Sequence, residues 1–341
     1  MLMTLETEII SHIAEITGQK DALVDDAYWD PSDRLVYTTD MLVEGRHFSM
    51  DYFTPEDLGW KAAAVNISDI ASMGAELRYL LVALALPEDT SMAWISALYQ
   101  GLMSACTAFN GKIVGGDTVS AERITITVTA VGHCPSGHTV GQRVNAQPGD
   151  LIITSGFYGL SHVGLRALQA KQPGYPKARD AHLRPMPRLD AGLILSGMFS
   201  RYALMDSSDG LADAALKLAK ASNQHLVIEA KRLPVHPELA AFSEADWAVT
   251  PETANLTPAE RRMNTLLYGG EDFELVATVP ATYAELLAHF YVIGRVVLET
   301  DVSLPVKSKP YGAWLQGARD EPLRQLSDNK TFQHFSVANA P

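Results

Sequence analysis

The sequence predicts an α+β protein built as two domains, and three observations predict it. Its 341 residues exceed the roughly 250–300 at which a single core stops growing. Segments with helical spacing of apolar residues are interspersed with short, strand-like runs. A polar break at Gly141–Asp150 (GQRVNAQPGD) coincides with a change in charge balance and precedes a fresh apolar strand. We place the boundary there, giving an N-terminal α/β domain over 1–140 and a C-terminal α/β domain over 145–341.

The elements follow in order. Glu6 to Thr17 reads as a helix, with Ile9, Ile13 and Ile16 at helical spacing. Asp25-Asp26 falls in a turn before a strand from Arg34 to Asp40, which places Asp40 at or just past the strand end. Thr54 is a natural N-cap, with Pro55 at N1 and Asp57 at N3, so a helix begins there, and Asn66 and Asp69 share one of its faces. A strand over Leu80–Leu86 stops at Pro87, a helix runs from about Ser91 to Phe109, and Ile124–Val131 alternates as a strand. Beyond the boundary come strand Leu151–Thr154, a glycine-spaced loop (Gly156, Gly159, Gly164) and a helix from Leu211 to about Ala221. A last helix over Thr257–Leu267 opens on the capping box Thr257-Pro258-Ala259-Glu260.

Composition excludes several function classes. With 47% apolar residues the chain can bury sizeable cores and is not of the disordered class. No apolar run reaches eighteen residues, so a membrane role is not expected. Cys106 and Cys134 are too few for a disulfide framework, and the expected compartment is the reducing cytoplasm. Residues 1–140 carry 19 Asp and Glu against 7 Lys and Arg, and so hold −12 of the net −13. Nucleic acid is a poor partner for such a surface, because phosphate-backbone affinity comes from Lys and Arg; cations are the better expectation.

The acidic residues lie in short polar clusters at the ends of apolar elements: Asp25-Asp26, Thr38-Thr39-Asp40, Asn66 with Asp69, Gly115-Gly116-Asp117-Thr118, Asp206-Ser207-Ser208-Asp209-Gly210 and Gly269-Gly270-Glu271-Asp272. Taken singly, each reads as a turn or a helix cap. Taken jointly, they read as one rim, where ligands of layered α/β domains bind. Carboxylates brought that close need cations, since two at about 4 Å repel by about 4 kcal/mol at an effective dielectric near 20. A donor set of hard oxygens points to Mg2+ rather than zinc. No GxxxxGK[ST], no GxGxxG after a strand and no protein-kinase motif set is present. A bound nucleotide would therefore be held through metals, glycine-rich backbone and isolated arginines such as Arg143.

The stretches VDDA (24–27), TTDMLVEGRHF (38–48), DLGWKAAAVNISDIASMGA (57–75), VGGDT (114–118), HLRPMPR (182–188), MDSSDGL (205–211) and YGGEDFEL (268–275), in this order, resemble the thiamine-monophosphate kinase family, of the superfamily that includes aminoimidazole ribonucleotide synthetase. Val24 stands where the family usually has Gly, and residues 243–264 match no part of the pattern. The resemblance implies a two-domain subunit, each domain a sheet layered with helices, with ATP in the cleft between them, and a homodimer formed through the N-terminal sheets. It implies transfer of the ATP γ-phosphoryl group to thiamine monophosphate, with several Mg2+ ions held by Asp25, Thr38, Thr39, Asp40, Asp69, Asp117, Asp206 and Asp209. ATP contacts carry over to Gly116, Asp117, Arg143 and Ser208, and substrate contacts to His47, Glu271 and Phe332.

Two of these keep a second reading. His47 is equally a satisfied histidine on its own, and Phe332 either docks the tail or stacks on the thiamine rings. No catalytic side chain is expected, because a phosphate monoester with a second pKa of about 6 is already largely dianionic at neutral pH. The alternative within the superfamily is another ATP-using enzyme, such as an aminoimidazole ribonucleotide synthetase-type ligase.

Overall fold

A computed structural model describes residues 5–19, 25–242, 256–282, 288–298, 300, 311–317 and 321–327. Helix α1 covers Leu5–Thr17. It is followed by β1 (Tyr28–Asp30), β2 (Leu35–Val43), helix α2 (Pro55–Ser72), β3 (Glu76–Leu86), helix α3 (Met92–Ala108), β4 (Lys112–Ser120) and β5 (Thr125–His133). These strands form one sheet in the order β1-β2-β5-β3-β4, antiparallel except for the parallel β3–β4 pair.

The second half supplies β6 (Leu151–Thr154), helices α4 (Leu160–Gln169), α5 (Pro176–Leu183) and α6 (Leu189–Met198), β7 (Ala203–Asp206), α7 (Leu211–Ser222), β8 (His225–Glu229), α8 (Pro237–Ala241) and α9 (Pro258–Tyr268). Strands β9 (Leu275–Val279), β10 (Tyr291–Val297), β11 (Gly312–Gln316) and β12 (Arg324–Gln325) complete a second sheet, ordered β12-β11-β8-β10-β6-β9-β7. Helices layered on two sheets are the α+β architecture expected from the sequence.

Several sequence-level details hold. Thr54 caps α2 by accepting from the Asp57 amide, with Pro55 in the first turn. Ser91 caps α3 in the same way, and both halves of the Thr257–Glu260 capping box form at α9. Strand β5 alternates buried and half-buried residues along its length, as a sheet with one covered face requires.

Other details are corrected. Asp40 lies inside β2, which runs on to Val43, rather than at or past a strand end. Gly115, Gly116 and Asp117 belong to strand β4, where no strand was expected. A Cβ at Gly116 would lie 1.8 Å from the Val82 carbonyl oxygen, so close approach of β3 explains this glycine. Gly164 lies within α4 and not in a loop.

Helix α2 organises the molecule. Of residues 61–72 every one but Asp69 is buried, because α3, the first sheet and α6 all pack on this helix and β7 brings the second sheet against it. Glycines let α2 and α3 touch: a Cβ at Gly59 would meet the Leu98 carbonyl oxygen at 2.0 Å, and one at Gly101 the Glu56 carbonyl oxygen at 1.9 Å. Backbone cannot yield there as a flexible side chain would. Gly101→Ala is therefore expected to cost about 1–3 kcal/mol of stability, the usual cost of overpacking, read as a lower denaturant midpoint; an unchanged midpoint would show that α3 can move aside.

Strands β6, β9 and β7 of the second sheet are buried on both faces. In β7, Leu204 joins the core around α2 while Ala203 and Met205 join a second core around α7; in β6, Ile153 and Ile152 divide in the same way. Strands covered on both sides read as unbroken apolar runs, as LIIT in β6 does. The result is a continuous core reaching from the first sheet to the second, with the C-terminal end of α2 and the end of β7 facing each other across it.

Candidate active site

The acidic cluster arises where three elements converge. Asp26 comes from the turn before β1, Asp69 from the last full turn of α2, and Asp206 from the end of β7. One carboxylate oxygen of each lies within 4.8 Å of the others. They line a cavity of about 1030 Å3 whose walls also include Asp40, His47, Ser208, Asp209 and Glu271.

Hydrogen bonds fix the acids in place. The Thr38 hydroxyl donates to Asp69 Oδ2 at 2.5 Å, and the Ser68 hydroxyl donates to Asp206 Oδ2 at 2.6 Å. Asn66 clasps α2 to β2 by accepting the Asp40 amide at 2.9 Å while donating to the Ala62 carbonyl at 3.0 Å. These two hydrogen bonds explain its placement three residues before Asp69, on the helix face toward the sheet.

Electrostatics mark the cluster as incomplete without cations. Burial, then the charges of Asp40, Asp206 and Asp26, push the Asp69 carboxyl well above the usual carboxylate range. Burial and Asp26 push Asp206 up to about 8. The main cation nearby is Arg143, which pairs with Asp26 Oδ1. Asp26 Oδ2 is buried and lacks a hydrogen-bond partner among the described residues. Converging hard oxygens, an orphaned carboxylate oxygen and acids that resist ionising together fit a divalent cation bound by oxygen ligands.

The structure divides the sequence-derived residues. Asp40, Asp69, Asp206 and Asp209, with Ser208, His47 and Glu271, line one cavity. Asp26, rather than Asp25, joins the acidic cluster: the Asp25 carboxylate turns away to accept the Arg143 backbone amide at 2.8 Å. Arg143 stands behind Asp26 and is not part of the cavity wall. Thr38 supports Asp69 from the side, whereas Thr39, one residue on in an extended strand, faces the opposite side of the sheet and bonds to the Val128 carbonyl at 3.1 Å. Asp117 is paired in register with Ala83, which is paired with Thr127, itself paired with Met41. Residues in register share a face, so Asp117 and Met41 lie on the far face of the sheet with Thr39. Gly116 lies on the same exposed strand. Phe332 lies outside the described residues.

Another part of the cavity wall is built differently. His47 Nδ1 accepts the Val43 amide at 3.0 Å, which places the proton of the neutral ring on Nε2. Glu271 Oε1 is 2.8 Å from Lys61 Nζ, and its Oε2 is 3.4 Å from His182 Nδ1. Tyr52, Phe48 and Phe273 add apolar surface. The HLRPMPR stretch positions this part: His182 bonds to Ser161 at 3.1 Å, Pro185 accepts from the Trp60 indole at 2.8 Å, and Arg188 pairs with buried Glu274.

Sequence reasoning missed Lys61 and His182 as site residues and left Asp26 unassigned. Lys61 carried a signal nonetheless, being the single charged residue between Asp57 and Asp69 of a helix otherwise rich in alanine.

Comparison with known proteins agrees with this geometry. The family model described as AIR synthase related protein, N-terminal domain, matches residues 19–134. A thiamine-monophosphate kinase of Synechococcus elongatus is 35% identical over 318 residues, covering 89% of this chain and 88% of the relative. One of Prochlorococcus marinus is 37% identical over 322 residues, covering 88% and 86%. The solved structure of AaThiL complexed with AMPPCP and TMP superposes with a TM-score of 0.77 at 29% identity, over 95% of this chain and 99% of that one. Identity at this level along nearly the whole length, with the acidic rim and Glu271 in one cavity, makes the chain a member of the thiamine-monophosphate kinase family.

Proposed function

We propose that the cavity carries out direct, in-line transfer of the γ-phosphoryl group of ATP to the phosphate of thiamine monophosphate, giving thiamine diphosphate and ADP. The observation that carries this reading is the mixed lining of one cavity: a cluster of Asp26, Asp69 and Asp206 together with aromatic and imidazole side chains and Glu271. Relatives named thiamine-monophosphate kinase and the AaThiL complex with an ATP analogue and TMP support it. They also favour it over the ligase alternative.

The chemistry asks little of side chains as acids or bases. The acceptor phosphate is already largely dianionic at pH 7, its second pKa being about 6, so the obstacle is bringing two polyanions together in line. Mg2+ held by Asp26, Asp69 and Asp206, with Asp40 and Asp209 in reach of the same cavity, would supply charge neutralisation of the phosphate oxygens. Thr38 and Ser68 hold the acids in their binding orientation. Ser208 precedes the N-terminus of α7, where exposed amides and the helix dipole favour phosphate. His47 and Glu271, on the wall of the same cavity, orient the acceptor.

The same reading takes residues 1–140 and 145–341 as two domains, places the protein in the cytoplasm, and makes it a homodimer. Among the described residues no helix is long and apolar enough to cross a membrane. The uncovered face of the first sheet supports the dimer: Tyr37, Met41, Tyr79, Leu81 and Val119 are all more than a third exposed, an apolar expanse of the kind that marks an interaction surface. Thr39 and Asp117 lie on that same face, so a dimer would bring them to the interface.

The test is a product assay with ATP, Mg2+ and either thiamine monophosphate or free thiamine. Thiamine diphosphate and ADP in equal amounts are expected with the monophosphate alone. Folded protein that forms no diphosphate, or that releases inorganic phosphate in its place, would overturn the proposal.

A further inference from the structure

Lys61 is a cation in a place where cations are expensive. Its side chain has no exposed surface, it emerges from the most enclosed helix of the molecule, and its ammonium rests 5.3 Å from the centroid of the Phe53 ring. The carboxylate of Glu271 neutralises it at 2.8 Å, although the angle falls outside hydrogen-bond geometry. Replacing a buried ion pair with apolar side chains of similar volume is often neutral or stabilising. Stability is therefore a weak reason for a lysine here.

Glu271 is the partner with a purpose. About a third of its side chain is open to the cavity, and its backbone takes a left-handed φ of 56°, held by its N–H donating a hydrogen bond to the Ser208 carbonyl at 2.6 Å. Of the neighbouring groups, His182 is buried and its ring is pushed down to about 3 by burial and by Lys61, so it is neutral at pH 7. Burial pushes the Glu271 carboxyl up, yet it lies below the usual carboxylate range because nearby positive charge outweighs burial, that of Lys61 first, with His182 and His47 after it. Without the Lys61 charge, a carboxyl so enclosed would favour its protonated form and present a donor where it had presented an acceptor.

We infer that Lys61 is a positioning residue for substrate recognition: from beneath the cavity it fixes Glu271 as a charged acceptor aimed at the amino-bearing, cationic rings of thiamine monophosphate. The inference rests on the proposed function and adds to it a residue that never touches the substrate. Phe53 and α2 hold the ammonium, the ammonium holds the carboxylate, and the carboxylate reads the rings. The groups whose charge acts on Glu271 are Lys61, His182 and His47 rather than the acidic cluster, so the effect falls on the acceptor and not on ATP.

The experiment compares wild type, Lys61→Met, Glu271→Gln and the double variant, with kcat and KM measured separately for each substrate. Wild-type turnover of thiamine monophosphate is the first control; its absence would defeat the proposed function, independently of Lys61. Given turnover, Lys61→Met is expected to raise the KM for thiamine monophosphate about 10-fold or more, the scale of one charge-assisted hydrogen bond. The KM for ATP should stay within about threefold of wild type, less than the factor of ten that 1.4 kcal/mol represents. In the Glu271→Gln background, Lys61→Met should leave the KM for thiamine monophosphate unchanged. A parallel rise in both KM values, or a further rise in the double variant over Glu271→Gln, would overturn the inference. The double variant leaves no buried charge unpaired, so if either single variant fails to fold the double variant is compared with wild type, and a rise in the KM for ATP equal to that for thiamine monophosphate would overturn the inference.

Discussion

Asp69→Asn is expected to lower turnover on the order of a hundredfold or more, from the several kcal/mol that a bound metal contributes to a phosphoryl-transfer transition state, while making the metal-free protein more stable. The two effects have opposite signs because they have one cause. Asp69 is confronted by Asp26 and Asp206 with ligand oxygens within 4.8 Å. Such spacing costs up to about 4 kcal/mol per pair at an effective dielectric near 20, reduced here by water entering the cavity. Asn keeps the shape and removes the repulsion, so a gain of about 1–2 kcal/mol in metal-free stability is expected, that being the part of the pairwise figure left after screening. Steady-state kinetics and denaturant melts in chelator test both halves. A variant that loses turnover and stability together would show that Asp69 acts through folding, and one that keeps turnover would remove it from the metal set.

The second large effect is on pH dependence in the absence of metal. Asp206 is raised to about 8 and Asp69 is raised as well, both first by burial. In this window the folded state retains protons that the unfolded chain has already released, so stability falls as pH rises toward the folded pKa. Asp272, whose carboxylate accepts the Gly159 and Ser161 amides at the start of α4 and which burial raises to about 7, acts in the same direction. His162 and His182 act in the other: burial lowers them to about 4 and about 3, so their contribution to stability grows with pH until the unfolded histidine value of about 6.5.

The opposing groups overlap below pH 6.5 and blunt each other. Between pH 6.5 and 8 the aspartates act without opposition from these histidines, and metal-free protein is expected to lose about 1 kcal/mol per pH unit at the steepest point, the scale of one proton per molecule. Asp206→Asn should flatten that decline. Millimolar Mg2+ should raise the melting temperature at pH 8 far more than at pH 5, because its ligands must be deprotonated to bind it. A metal-free stability that is level from pH 6.5 to 8 would contradict the assigned burial of these acids.

Much of this was legible from the residues. The caps at Thr54 and Thr257 place two helices to within a residue, because side-chain caps are local and need no tertiary information. The alternation in β5 is equally local. What escaped was set by packing. Strand β4 carries Gly115 and Gly116, which read as a turn; the reason for Gly116 lies on β3 and appears only in three dimensions. Helices α4 to α6 are short and punctuated by Gly and Pro, and the periodicity of such brief segments is weak.

At the site, residue types were legible and their roles were less so. Asp25 and Asp26 are chemically identical neighbours, and the turn that sends one to the Arg143 amide and the other to the acidic cluster leaves no mark in the sequence. Thr39 and Asp117 illustrate the same limit: their motifs are evident, but the strand period turns both to the face opposite Asp40. Lys61 and His182 reach Glu271 from helices far apart in sequence, a meeting that only the folded chain reveals.

The central claim is that Asp26, Asp69 and Asp206 form a divalent-cation centre for phosphoryl transfer. Crystals grown with Mn2+ and a non-hydrolysable ATP analogue, measured for anomalous scattering, test it most directly. The account predicts a peak about 2.0–2.4 Å from carboxylate oxygens of at least two of these three residues, the range for hard divalent cations on oxygen. Bound nucleotide with no peak among the three carboxylates would contradict it.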